Sequence, residues 1–265
     1  MPPRNIDAPP LRLMALEALA SFELAGLMAA WPALPLTRRG DRSPVLVIPA
    51  FGATDSSTRI MRMAVRSRGY WAHGIGPGRI GSSATIEQLR RRLGHVRAQH
   101  GQKVSLVGWS LGGIYARELA RERPDAVRQV ITLASPFRYR AGDQASFTPL
   151  LPARVRDRDP FLRLHPEEDR DPVPVRVTSI YSRTDGVVRW HSCVEAEGPL
   201  TENIEVRSTH VGMAVNPGVL FAVIDRLAQP EKDWRPFRAP PGTAQLFPRP
   251  QTWRPPSDAV VTASH

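Results

Sequence analysis

The chain has 265 residues and a mass of 29.4 kDa, enough for one full hydrophobic core with appendages. Its single cysteine, Cys193, excludes an internal disulfide, and no zinc-ligand spacing occurs beyond the isolated His191, so neither a metal nor another cofactor is implied. The formal charge of +11 invites a nucleic-acid reading, but the 36 basic residues include only Lys103 and Lys232 as lysines, and the arginines scatter with only short runs such as Arg90-Arg91-Arg92. Without a clustered phosphate-tracking face, nucleic acid is set aside as a partner, and weak attraction to anionic surfaces is what the charge supports.

In chain order, the proline-rich stretch from Met1 to Pro10 comes first. Leu11 to Trp31 then form a strongly apolar helical stretch closed by Pro32. Glu17 and Glu23 interrupt its apolar run, no cationic start or small-residue cleavage site frames it, and two carboxylates are costly in a bilayer core. The expectation is therefore a cytoplasmic protein. The helix either packs on the domain or makes peripheral contact with a membrane, as an interfacial element or lipid-facing flap.

From Arg42 onward strands and helices alternate. Val45 to Ala50 reads as a buried strand, Ser56 to Arg68 as a helix, Tyr70 to His73 as a short strand, and Ser83 to His100 as a helix with Ile86, Leu89, Leu93 and Val96 on one face. Strand Val104 to Val107, helix Leu111 to Arg123 and strand Val130 to Leu133 follow. Further on, Val175 to Tyr181 and Ile204 to Val206 read as strands, and Asn216-Pro217 caps a helix ending near Ala228. Such alternation implies right-handed crossovers and a mainly parallel sheet of about six strands covered on both faces, an α/β three-layer sandwich. Residues 137–174, rich in Arg, Asp and Pro, are too long for an ordinary connection and read as a cap insertion. The organisation is residues 1–41 as apolar helix and linker, 42–229 as the α/β domain and 230–265 as a Pro/Arg-rich tail, extended and largely disordered beyond Pro236.

One motif on this frame carries chemistry. Gly108-Trp109-Ser110-Leu111-Gly112 falls between a strand and a helix, so Ser110 sits on a sharp turn where side chains two residues before and after would collide. The turn lifts the Ser110 hydroxyl above the sheet and aims the Leu111 N–H, at the helix start, toward a developing oxyanion. A second donor is expected from the loop after the first strand, most simply the Phe51 N–H, with the Phe51 ring walling an acyl pocket. A serine at neutral pH needs a base. His210 follows a strand on a loop at the C-terminal sheet edge. His73 also ends a strand but lies before the nucleophile, while His95 and His100 belong to a helix, His165 to the insertion, His191 to a short turn and His265 to the terminus. The orienting carboxylate is expected at Asp185, on the tight loop after the preceding strand. Asp143, Asp157 and Asp159 lie in the insertion, and Glu202 precedes its strand and so belongs to the opposite edge.

These motifs together resemble the α/β-hydrolase superfamily, of the small bacterial esterase and lipase type, over about Pro44 to Gln229. The stretch Val104 to Gly113 resembles the nucleophile elbow, Tyr181 to Val188 the acid loop, and Ser208-Thr209-His210-Val211-Gly212 the histidine loop. The resemblance implies Ser110 as nucleophile, Asp185 as acid, His210 as base, and Phe51 and Leu111 as oxyanion donors. Where such lipases carry His-Gly or Pro-Gly before the first oxyanion residue, this chain has Pro49-Ala50, and the first two strands of the full-size fold are absent. The implied activity is hydrolysis of a small-molecule or lipid-like carboxylic ester with an apolar acyl group. The alternatives are acyl transfer through the same acyl-enzyme and a catalytically silent binding protein on the same fold.

Overall fold

A computed structural model describes residues 9–82, 84–138, 171–196 and 198–251. Nearly all of the expected cap falls outside these residues, as do Asp143, Asp157, Asp159, His165, His265 and the first eight residues.

Short runs of β-branched and apolar residues bounded by turn formers build six strands: β1 (Pro44–Ile48), β2 (Trp71–His73), β3 (Val104–Trp109), β4 (Val127–Leu133), β5 (Arg176–Tyr181) and β6 (Thr201–Glu205). They form one sheet in the order β2-β1-β3-β4-β5-β6, and every neighbouring pair is parallel. Both faces are covered, so the central strands β1 and β3 are buried along their whole length. Alternation decides which layer each residue joins. Val45 and Val47 point to one core with Met61, Val65, Val223 and Leu227, while Leu46 and Ile48 point to the other with Leu89, Leu93, Ile114 and Leu119. The first core lies under α3 (Arg59–Ser67) and α6 (Pro217–Leu227), the second under α4 (Thr85–His100) and α5 (Leu111–Glu122).

Each expected element is present, with displaced ends. The strand expected from Val130 begins at Val127, because Gln129 reaches Ser105 Oγ across the sheet at 3.4 Å and its polarity hides the strand in the sequence. At the edge of the sheet, β6 runs over Thr201–Glu205 rather than Ile204 to Val206, since an edge strand keeps polar residues. Asn216 caps α6 as expected, accepting from the Gly218 and Val219 N–H groups at 2.8 and 3.2 Å.

The N-terminal apolar stretch departs more. It comprises α1 (Leu11–Leu16), a 3₁₀ turn at Glu17–Leu19, α2 (Ala20–Ala30) and a second 3₁₀ run, Trp31–Leu36. Pro32 does not close it, because proline stands in the first turn of that last run, where its missing N–H costs nothing. Leu27 and Leu34 are buried in the first core, whereas Leu11, Met14, Leu19, Phe22, Met28 and Leu36 are exposed.

The tail differs as well. Through Gln251 it is extended but packed, rather than disordered beyond Pro236. Phe237 and Phe247 close on Phe221 of α6 with ring centroids 5.0–6.3 Å apart, and the Arg207 N–H donates to the Leu246 carbonyl at 3.2 Å. Prolines deny this segment a ladder of its own, yet its aromatics reach an apolar groove. Phe247→Ala should therefore lower stability by about 2–4 kcal/mol, read as a fall in Tm of about 5–10 °C by circular dichroism. An unchanged Tm would mean that the tail is not part of the folded unit.

Candidate active site

The turn from β3 into α5 holds Ser110 at φ 55°, ψ −123°, a left-handed backbone that costs a non-glycine residue about 1–3 kcal/mol. Its neighbours explain how the turn closes. A Cβ at Gly108 would meet the Gly112 carbonyl and Gly113 Cα, and one at Gly112 would meet the carbonyls of Ile48 and Pro49. Both glycines thus let the elbow pack directly on β1 and α5. The Ser110 N–H donates to the Leu133 carbonyl at 2.8 Å, anchoring the turn to the end of β4.

Two backbone donors stand near the elbow. Leu111 opens α5 and Phe51 lies in the turn after β1, and neither N–H has a hydrogen-bond partner among the described residues. The Gly52 N–H donates to the Ile80 carbonyl at 2.8 Å, and the Phe51 ring packs so tightly over Gly81 that a Cβ there would touch it. The Pro49-Ala50 start of this loop is accommodated with Phe51 half-buried beside the second core.

The acid and base loops meet at the same edge. Asp185 Oδ1 accepts the Val187 and Val188 N–H groups, each at 2.8 Å, which turns Oδ2 toward the imidazole. His210 Nδ1–H donates to Asp185 Oδ2 at 2.7 Å, and both side chains are almost wholly buried. Ser182 and Thr184 tie the two loops together: Ser182 Oγ accepts the Ser208 N–H at 3.2 Å, and Thr184 Oγ1 donates to the Ser208 carbonyl at 2.9 Å. Trp109, immediately before Ser110, donates its indole N–H to the His210 carbonyl at 3.1 Å. The histidine loop is thereby fastened to the elbow. Ser110 thus follows β3, Asp185 follows β5 and His210 follows β6, all at the C-terminal edge of the parallel sheet.

Burial pushes His210 down, but the Asp185 carboxylate at its Nδ1, with Glu17 further off, outweighs burial and holds it above its ordinary 6.5. The rival His73 has the opposite surroundings. Its Nε2 lies 2.8 Å from His100 Nε2, and burial together with Arg92, His100, Arg66 and His95 pushes it down to about 4. Glu202 sits where expected, at the far edge, holding Thr178 Oγ1 and Arg226. Cys193 is buried, and its thiol is pushed up by burial and then by Asp185. No cluster of three metal-ligating side chains occurs among the described residues.

Two further carboxylates reach this site. From sequence, Glu17 and Glu23 read only as interruptions of an apolar stretch. In the structure both turn inward onto the acid and histidine loops, with Glu17 Oε1 accepting the His210 N–H at 2.9 Å and Glu23 Oε1 accepting the Thr209 N–H at 2.7 Å. Their isolation among apolar residues was the available signal.

A six-stranded all-parallel sheet in the order β2-β1-β3-β4-β5-β6, covered by helices on both faces, is the α/β-hydrolase fold, and this chain has it. Solved structures that share it include Aspergillus fumigatus lipase B (TM-score 0.58, 17% identity, covering 71% of this chain and 53% of that one) and a Bacillus licheniformis lipase in mature form (TM-score 0.54, 14% identity, 72% and 95%). A monoacylglycerol lipase of Paleococcus ferrophilus gives a TM-score of 0.52 at 16% identity, covering 72% of this chain and 96% of its own. In sequence, a pimeloyl-[acyl-carrier protein] methyl ester esterase of Aliivibrio salmonicida is 31% identical over 104 residues, spanning 38% of this chain and 40% of that protein. The match thus takes in less than half of that relative's length. No family model matches the chain.

The sign of the His210 shift gives a direct test. Followed by NMR, the ring should titrate above 6.5 in the native protein. In Asp185→Asn burial is left to dominate, and the midpoint should fall below 6.5. A midpoint that stayed high in the variant would assign the shift to another group.

Proposed function

We propose that this protein hydrolyses carboxylic esters with an apolar acyl group through a Ser110 acyl-enzyme. The observation that carries the proposal is the buried 2.7 Å contact from His210 Nδ1 to Asp185, set beside a serine held in the strained backbone of a strand-to-helix elbow. The carboxylate fixes the Nδ1–H tautomer, which leaves Nε2 as the basic nitrogen. As Ser110 Oγ attacks the ester carbonyl, Nε2 takes its proton and Asp185 stabilises the imidazolium. General-base help of this kind is worth about 10²–10⁴ in rate. The oxyanion settles between the Leu111 and Phe51 N–H groups, each worth about 3–4 kcal/mol of transition-state stabilisation. Collapse of the tetrahedral intermediate breaks the ester C–O bond and the imidazolium protonates the leaving alcohol. Water then enters, gives its proton to Nε2, and releases the acid and free Ser110.

The apolar acyl preference rests on the side chains around the donors. Phe51 and Leu111 adjoin a core of Ile75, Ile80, Ile114 and Phe137, so an acyl chain leaving the oxyanion site meets hydrocarbon. The fold shared with lipases and the stretch shared with an esterase support ester chemistry.

A lipid surface is the partner that the N-terminal segment fits. Residues 11–36 contain an 18-residue stretch of mean hydropathy 1.6 and are long and apolar enough by composition to cross a membrane. Glu17 and Glu23 are engaged on the domain, however, so the segment lies along it with Leu11, Phe22 and Leu36 outward and Arg12, Arg38 and Arg39 exposed nearby. Apolar residues flanked by cations suit an interfacial position on anionic lipid.

Ser110→Ala should lower turnover of p-nitrophenyl acyl esters by at least about 10⁴-fold and abolish labelling by a fluorophosphonate. Full activity in that variant, or a folded wild-type protein that resists the probe, would sink the proposal. For the lipid surface, the protein should sediment with phosphatidylglycerol-containing vesicles and lose that binding in Phe22→Asp with Leu36→Asp. Equal recovery of wild type and variant with the vesicles would refute the segment's role.

A further inference from the structure

The N-terminal segment is mostly exposed and apolar, yet its two carboxylates face the catalytic loops. Glu17 Oε1 accepts from the Gly186 N–H at 2.8 Å and the His210 N–H at 2.9 Å, and Oε2 accepts from the Val211 N–H at 2.9 Å. One side chain therefore joins the residue after Asp185 to His210 and the residue that follows it. Glu23 takes the next stretch, accepting from Thr209 N–H and Oγ1 at 2.7 Å each, from Ser208 Oγ at 2.6 Å and from Asn216 Nδ2 at 2.7 Å. Together the two carboxylates collect seven donors from the loops that carry the acid and the base.

The backbone of the segment is built for this contact. Six residues of continuous α-helix would set Glu17 and Glu23 about 120° apart around the axis. The 3₁₀ turn at Glu17–Leu19 winds three of those steps more tightly and brings the pair to about 60°, on one face. The loops are shaped to receive it. A Cβ on Gly186 would strike the Leu13 carbonyl and Met14 Cα, and one on Gly212 would strike the Glu23 carboxylate. Glycines beside Asp185 and His210 thus serve the approach of the segment.

We propose that Glu17 is a positioning residue for the catalytic machinery: from outside the α/β domain it locks the acid loop to the histidine loop and so fixes the His210–Asp185 geometry. The proposal rests on the Ser110–His210–Asp185 reading given above. Glu17 touches no reacting atom. It acts through the three N–H groups it holds and through its charge, which adds to that of Asp185 in favouring the imidazolium formed when Ser110 attacks. Among the described residues, the carboxylates facing this loop are Asp185 from the acid loop, Glu17 from the segment and Glu23 at Ser208 and Thr209. Only Asp185 and Glu17 add to the His210 shift. The segment is then part of the machinery that shapes the site.

The test uses the full chain with p-nitrophenyl ester kinetics from pH 5 to 9, on wild type, Ser110→Ala, Glu17→Ala and Glu17→Gln, with Tm recorded for each. Glu17→Ala should lose about 10- to 100-fold in kcat, because the loops are released from each other. Glu17→Gln keeps the shape and the oxygen that accepts from Gly186 and His210, so it should recover much of kcat. It lacks the charge, so the acid limb of its kcat/KM profile should move to lower pH by about half a unit or more. That displacement is a readout that loss of stability alone does not produce, and it carries the test even where the alanine variant fails to fold. If Ser110→Ala is inactive while Glu17→Gln keeps the wild-type acid limb, the positioning role is refuted and the triad stands. If Ser110→Ala remains active, the triad reading fails and the proposal fails with it.

Discussion

Ser110 occupies a left-handed backbone position between a strand and a helix, and the surrounding structure has to hold it there. The strain, of order 1–3 kcal/mol, persists only because β3 on one side and α5 on the other are buried and cannot relax. The turn is so tight that α5 packs against the end of β1 with no side chain between, which is why the elbow needs Gly108 and Gly112. The same closeness brings the start of α5 beside the end of β1. The Ser110 turn, the start of α5 and the end of β1 are thus one packing solution, in which moving either element disturbs the turn.

The Asp185–His210 pair has no such rigid support. Asp185 and His210 lie on loops after β5 and β6, at the edge of the sheet, where few strands flank them. Their alignment depends on hydrogen bonds: Ser182 and Thr184 to Ser208, Trp109 to the His210 carbonyl, and Glu17 and Glu23 from the N-terminal segment. Buried carboxylates are costly without partners, and Glu17 and Glu23 are half-buried with seven donors between them, so the contact is far from incidental.

Much of this was legible in the sequence where local patterning and tertiary role agree. Val104 to Gly112 specify a strand, a turn and a helix by composition alone, and the placement of Ser110, Asp185 and His210 on loops after strands followed from where the strands end. The start of β4 and the extent of β6 were hidden by Gln129 and by Thr201-Glu202-Asn203, polar residues whose strand conformation comes from neighbouring strands rather than from their own propensity. Glu17 and Glu23 were misjudged for a related reason. Hydropathy describes what a residue costs in hydrocarbon, whereas their partners are backbone and side-chain donors more than 160 residues away. Phe237 and Phe247 likewise gave no periodic signal, because a proline-rich segment packs by single aromatic contacts.

Placement of Glu17 links two properties that sequence keeps apart. The segment whose apolar side chains are exposed is the segment whose carboxylates hold the loops bearing Asp185 and His210, so its docked position cannot change without releasing those donors. Were it to enter a bilayer as a span, both carboxylates would have to leave their donors for hydrocarbon, at about 2.5 kcal/mol or more each, and the loops would lose seven hydrogen bonds. Insertion is therefore opposed by the contacts that the docked segment keeps. As docked, the carboxylates face the protein while Leu11, Phe22 and Leu36 face outward. Such a division of one short segment explains why two acids are kept in the middle of an otherwise apolar run.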